Sequence, residues 1–219
     1  MSPEPMATVA ARRVVHHQPM PEKRRGGRTA EEFLRELAAD PQFVRRQEER
    51  EAERRQLERQ LRDAEAPLLR DLADVGVDVE SAWDLVNTST PYPDALPVLL
   101  DHLGRDYPDP VREGIARALA VRGDAAFAWA TLLRLYRQEP AGTDAKDGLA
   151  VALAAVATGR ELNELIELAA DARHGESRIL VIGGISRLRS AEARQALDRL
   201  ADDPVVGTEV RRRLKHRKR

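Results

Sequence analysis

Five histidines, His16, His17, His102, His174 and His216, are the residues best suited to metal or proton-transfer chemistry, and no cysteine accompanies them. Without thiols there is no disulfide, thiolate metal site or cysteine nucleophile. The histidines lie at no spacing that would pair them with acidic metal ligands, and no phosphate loop, zinc-protease helix or nucleophile elbow occurs. His16-His17 could hold a metal only adventitiously. The sequence therefore predicts neither cofactor nor catalysis. A different chemistry is written at the ends. "RRRLKHRKR" at 211–219 could neutralise several phosphates through Arg211, Arg212, Arg213, Lys215 and Arg217, with "EKRRGGR" as a second basic arm.

Charge is distributed unevenly along the chain. Residues 1–28 hold 6 basic and 2 acidic side chains, residues 29–90 hold 9 and 16, and residues 211–219 hold 7 and none. An acidic body with basic ends disfavours nucleic acid as ligand of the body, and few aromatics are placed for base stacking. Basic residues at a terminus also complement the dipole of a last helix. No apolar run is long enough to cross a membrane, and the first 28 residues lack the apolar stretch of a secretory signal, so a cytoplasmic protein is expected.

The elements that must position these groups are helical. Aromatics make up 4 % of the chain, charged residues 33 %, and Ala, Leu and Val fill the apolar positions, a palette for close-packed helices. Residues 1–28 mix Pro, Gly and Arg without periodicity and read as a disordered basic arm. A charged helical segment over 29–67 follows, opened by a Thr29/Glu32 capping box before Phe33, Leu34 and Leu37, and restarted at Asp40-Pro41. Its seam, Leu57, Leu61, Ala64 and Leu68, is too short for a coiled coil. A solvated helix docked at its C-terminal end is the expectation, with a monomer or weak homodimer as the assembly.

A repeat domain over 68–214, before a basic tail at 215–219, is predicted from paired helices: 94–103 with 111–121, 127–137 with 146–157, 162–170 with 178–188, and 191–200 with 205–214. "DPV" at 109 recurs at 203, three steps of roughly 31 residues on, a period typical of helical repeats. Arg112, Lys146 and Arg178 fall in one slot, at intervals of 34 and 32. Each should reach an acidic group on the next unit, an exposed ladder that specifies stacking more than it stabilises. Asp109 and Asp203 should cap their own helices.

"DPVREGIARAL" resembles the HEAT-repeat family, whose second helices commonly begin Asp-Pro-x-Val-Arg and continue with Ala and Leu. "GESRILVIGGI" fits loosely, "TDAKDGLAVAL" lacks the proline, and "DPVVGTEVRRRL" lacks the internal Arg and Ala. The resemblance implies an all-α, short right-handed α-solenoid of HEAT-like helical hairpins, preceded by the long charged helix, with second helices lining a concave face. The residues on that face would be Glu113, Arg117 and Ala120, then Asp147, Val151 and Ala154, then Ile179, Gly183 and Ser186. Arg117, Arg187 and Arg189 would stand at the edges, where they could orient an acidic partner.

The family includes scaffolds, lyase-type chaperones of pigment proteins and a branch of DNA glycosylases, so membership fixes fold far better than function. The first expectation is a non-catalytic scaffold binding a protein or peptide on the concave face. The N-terminal arm or a second subunit are further candidate occupants of that groove. The alternative is nucleic-acid association through the basic ends, which deletion of 211–219 should abolish while sparing the groove. The family's branch of DNA glycosylases, acting on alkylated purines with aromatic, Asp and Arg residues, draws attention to Trp83, Asp84, Trp129 and Arg134, although Trp129 reads as core. Trp83, Tyr92 and Tyr107 form a possible secondary aromatic patch. Gly183-Gly184 reads as a close helix crossing. The uncharged stretch 148–157 must be covered, by neighbours or by a ligand.

Overall fold

The computed structural model describes Thr29, Leu34 and residues 39–217, save the side chain of Arg217. The expected basic arm, Glu32 of the first capping box, and Lys218 and Arg219 lie outside the described residues. Two compact units divide at Glu51/Ala52. In the first, Asp40 accepts from the Gln42 N–H at 2.9 Å and Pro41 opens the long helix, the start expected of an Asp-Pro pair.

Among the described residues the protein is all-helical, about 75 % helix with ten α-helices and no strand. They are α1 (Pro41–Asp74), α2 (Ala82–Asn87), α3 (Ala95–Leu103), α4 (Asp109–Ala118), α5 (Trp129–Gln138), α6 (Asp144–Val156), α7 (Leu162–Ala170), α8 (Arg178–Arg187), α9 (Ala191–Leu200) and α10 (Gly207–Arg217). Helix α1 runs through Pro67 to Asp74, and its seam grades inward from Leu57, 52 % exposed, to Leu68 and Leu72, fully buried.

The unit from Ala52 onward has two rows. Helices α2, α4, α6, α8 and α10 each pack on the next, while α3 packs on α4, α5 on α6, α7 on α8, and α9 on α8 and α10. One apolar core runs between the rows from Leu68 to Val210. Side-chain caps fix the helix starts. Ser81 and Asp84 make a capping box on α2, Thr143 accepts from the Lys146 N–H, and Ser190 from the Ala193 N–H.

Glycines set the spacing within the even row. A Cβ on Gly148 would lie 2.8 Å from the Glu113 carbonyl oxygen, and one on Gly184 2.8 Å from the Ala154 Cα. So α4, α6 and α8 approach with backbone against backbone. Gly184 is the close crossing read from the sequence; Gly148 belongs with it.

The bracing between units differs from the expected exposed ladder. Arg112 does pair with Glu139. Lys146 is 1 % exposed and finds no carboxylate: its ammonium donates to the carbonyls of Tyr136 (2.7 Å) and Glu139 (2.8 Å), and lies 3.1 Å from His174 Nδ1. Arg178, 2 % exposed, donates to Asp203 at 3.0 and 3.3 Å, to the Ala169 carbonyl and to the Gly175 carbonyl. Helix approach at glycine spacing closes water away from the slot, so two of its three cations are buried. Asp109 is a second correction. Pro108 takes the extended cap position of α4, and the Asp109 carboxylate crosses instead to the N–H groups of Asp144 (2.8 Å) and Ala145 (2.9 Å) at the start of α6. Asp203 accepts from the N–H groups of Val205 and Val206 and so caps its own turn into α10, as expected.

Candidate binding groove

Helix α6 has most of its surface covered by neighbours, Leu149, Ala150, Ala152 and Leu153 being wholly buried. A strip of Val151, Ala154 and Ala155 stays half-buried. This strip exists because its residues point away from the odd row, at positions the even-row neighbours do not reach. It forms part of the floor of a cavity of about 440 Å³ completed by Ile179, Leu180 and Gly183 of α8. Arg122, Arg187, Arg212, Arg213 and Glu209 surround that floor. Four arginines against one carboxylate make it an apolar slot with a cationic rim.

Helix α10 supplies one wall. Glu209, 14 % exposed, receives Arg212 at 2.7 Å and Arg213 at 2.6 Å. These bonds, the Arg212 bond foremost, hold its carboxyl below the usual range against the opposing effect of burial. The wall is thereby pre-ordered, with each guanidinium keeping further N–H donors for a ligand. Arg213 reaches over Gly183, where a Cβ would meet its Nη2 at an ordinary contact distance of 3.5 Å.

Val151 also lines a second cavity of about 450 Å³, where Arg117, Ala120, Val121 and Tyr92 meet the loop 88–93. The structure therefore gathers Arg117, Val151, Ala154, Gly183 and Arg187 along one face, and adds Arg212 and Arg213 from the block read as a nucleic-acid tail. Glu113, half-buried, is tied to Arg117 at 2.7 Å. Ser186 is half-buried on α8, and Arg189 is exposed beyond its end. Arg211 and Lys215 line a separate cavity with Thr208, Arg212 and His216, and Arg211 also bonds the Ala201 carbonyl.

Two edge arginines have work inside the fold. Arg187 Nη2 donates to the carbonyls of Ala154 (2.9 Å), Ala155 (3.1 Å) and Ala157 (2.7 Å), capping the C-terminal end of α6. Burial and the nearby Arg122 lower its affinity for its proton below the ordinary arginine level. Arg117 pairs with Glu113 and lies 5.9 Å over the Trp83 ring. An orienting role for a free Arg187 and Arg117 thus gives way to one in which they brace the groove. The sequence reading missed Arg122 and Glu209. Arg122 follows α4 in a turn, outside any helical period, and Glu209 is the single acidic residue in a basic last helix, with no spacing that marks it.

Trp83, Tyr92 and Tyr107 go to three settings. Trp83 lies against Gly114 in a cleft beside α1, Tyr92 donates to the Ala118 carbonyl at 2.9 Å, and Tyr107 lies 2.6 Å from His102 Nδ1. His102 is fully buried, and its Nε2 sits 2.7 Å from the Asp71 carboxylate, so Asp71, His102 and Tyr107 brace α1 to α3. The residues singled out by the glycosylase comparison are not gathered. Trp83 and Asp84 belong to α2, with Asp84 spent on the helix cap, while Trp129 is half-buried on α5 and Arg134 bonds Gln138 there. Phe127, expected beside Trp129 on a first helix, sits in a 3₁₀ turn and is 54 % exposed. Among the described residues no group of histidines and carboxylates could hold a metal ion, and no helix is long and apolar enough to cross a membrane. No protein-family model matches the chain, and no curated protein and no solved structure matches it either.

Proposed function

We propose that the two helical rows form a short right-handed HEAT-like solenoid and that this protein is a non-catalytic scaffold whose α6/α8/α10 groove takes an acidic segment of a partner protein. What supports the reading is the pairing of an apolar floor (Val151, Ala154, Ile179, Leu180) with four rim arginines in one cavity. An amphipathic helix bearing Leu on one face and Glu on its flanks satisfies both at once. A nucleic-acid backbone would meet the arginines and leave the floor unmatched.

The test is titration of the intact chain with a fluorescent acidic amphipathic peptide, with duplex and single-stranded nucleic acid as competitors. Arg122→Glu and Val151→Asp should each weaken the peptide at least tenfold with helix content unchanged. Preference for nucleic acid, with indifference to Val151→Asp, would replace this reading by the phosphate one. Deleting 211–219 does not separate the two, because Arg212 and Arg213 wall the groove.

A further inference from the structure

At the other end of the even row a second cleft carries the opposite charge. It is a cavity of about 580 Å³ where α1, the start of α2 and the start of α4 meet, and Trp83, Leu61 and Val111 form its apolar part. Glu58, Glu65, Glu80 and Asp84 border it, with Arg62 as the lone cation. Glu65 is the distinctive member. It is 6 % exposed, its Oε1 accepts from the Ala82 N–H (2.6 Å) and the Ser81 hydroxyl (3.2 Å), and no cation among the described residues pairs with it. Its two donors are neutral, so the buried carboxylate keeps a negative charge that a cation arriving from outside could pair with. Trp83 already draws Arg117 to within 5.9 Å of its ring centroid, so it adds a surface suited to a guanidinium.

We infer that this cleft is the receptor for the basic end of α10 from a second copy of the chain, giving head-to-tail association. The complementarity is specific. Arg211 and Lys215 stand one helical turn apart on α10, outside the Arg212 and Arg213 pairs with Glu209, while the receptor offers exposed Glu58 and Glu80 flanking an aromatic floor. A chain's own tail is poorly placed to reach its own cleft. Four helix-to-helix steps from α2 to α10, each of about 8–10 Å, separate them. A contact that joins different patches of two copies need not close, so the products are open chains that grow with concentration. The Arg211/Lys215 cavity shares Arg212 with the α6/α8/α10 groove, so the variants that test the inference leave Arg212 and Arg213 in place.

Sedimentation of the full chain over a wide concentration range, at low and high salt, tests it. Mass should rise with concentration at low salt and fall back as salt screens the charges. The cleft variant Glu58→Arg/Glu80→Arg and the tail variant Arg211→Glu/Lys215→Glu should each associate at least tenfold more weakly, with unchanged circular dichroism. Mixed together they should form a 1:1 complex, because the first keeps an intact tail and the second an intact cleft. A labelled peptide copying residues 205–219 should bind the wild-type chain and be lost with the cleft variant, which keeps the test alive should the tail variant fold poorly. Wild-type chain that stays monomeric throughout, or association that persists in both variants, overturns the proposal. So does a cleft that binds the peptide in a chain that never self-associates.

Discussion

Arg178 sits almost wholly out of water between a carboxylate and two carbonyl groups, and each of those acceptors was desolvated with it. Arg178→Met should therefore cost about 3–5 kcal/mol in urea denaturation, the range for breaking a buried pair from one side. Arg178→Lys should recover only part, since one ammonium cannot reproduce the fork that meets Asp203. At His174 the sign of the pH effect follows from its surroundings. Burial foremost, then the Lys146 ammonium, push the ring below its ordinary value of 6.5, with Asp171 opposing weakly from 3.8 Å. The unfolded chain then binds the proton first, so stability is full above the unfolded value and is lost as pH falls through the folded one. Melting temperature should drop as pH falls below the ordinary histidine value of 6.5, and His174→Asn should flatten that part of the profile. Arg187→Ala should lower stability by about 1.5–3 kcal/mol by uncapping α6, whereas Arg189→Glu should leave the melting temperature in place.

Helix α6 is the element on which the even row turns. Its contact with α4 depends on Gly148 and that of α8 depends on Gly184, each placed so that a methyl group would press on backbone atoms that cannot swing aside. Gly148→Ala and Gly184→Ala should each destabilise by about 1–3 kcal/mol despite raising helix propensity, as read by denaturant midpoint. Substituting Gly123 by Ala tests a different effect. There φ is +83° and nothing lies within 4 Å, so any loss would come from backbone strain alone. The same element explains the groove: α6 carries no charge from Gly148 to Val156, and the neighbours bury that stretch except for the Val151, Ala154 and Ala155 strip.

Over the whole compact unit, charge is sorted by position along the even row. The cleft beside Trp83 has four carboxylates and one arginine, and the groove beside α10 has four arginines and one carboxylate. A chain with net charge -1 therefore carries a strong separation of opposite charges. Binding at either site should be strongest at low ionic strength and should weaken with salt on the scale of the Debye length. Melting of residues 52–219 should be a single transition, because one core cluster runs from Leu68 to Val210; calorimetry that resolved two steps would contradict it.

The amino-acid order by itself determined most of the helices, because their apolar periods, Asp, Ser and Thr caps and Gly or Pro breaks are local signals read within a few residues; the six-residue α2 is too short to show a period. Leu162–Ala170 and Ala191–Leu200 match their expected bounds, and Val151, Ala154 and Gly183, which the HEAT resemblance together with the period sets outside the core, are half-buried. Tertiary structure alone decided what the charged residues do. Arg187, Asp109 and Lys146 each bond to groups 10 to 36 positions away, some of them backbone atoms that have no sequence signature. It also placed Arg212 and Arg213 beside α8, turning a basic terminus into a wall of the groove. Periodicity gives the direction of a side chain from its own helix, but the partner it finds depends on how closely the next helix packs, and here buried glycines set that distance.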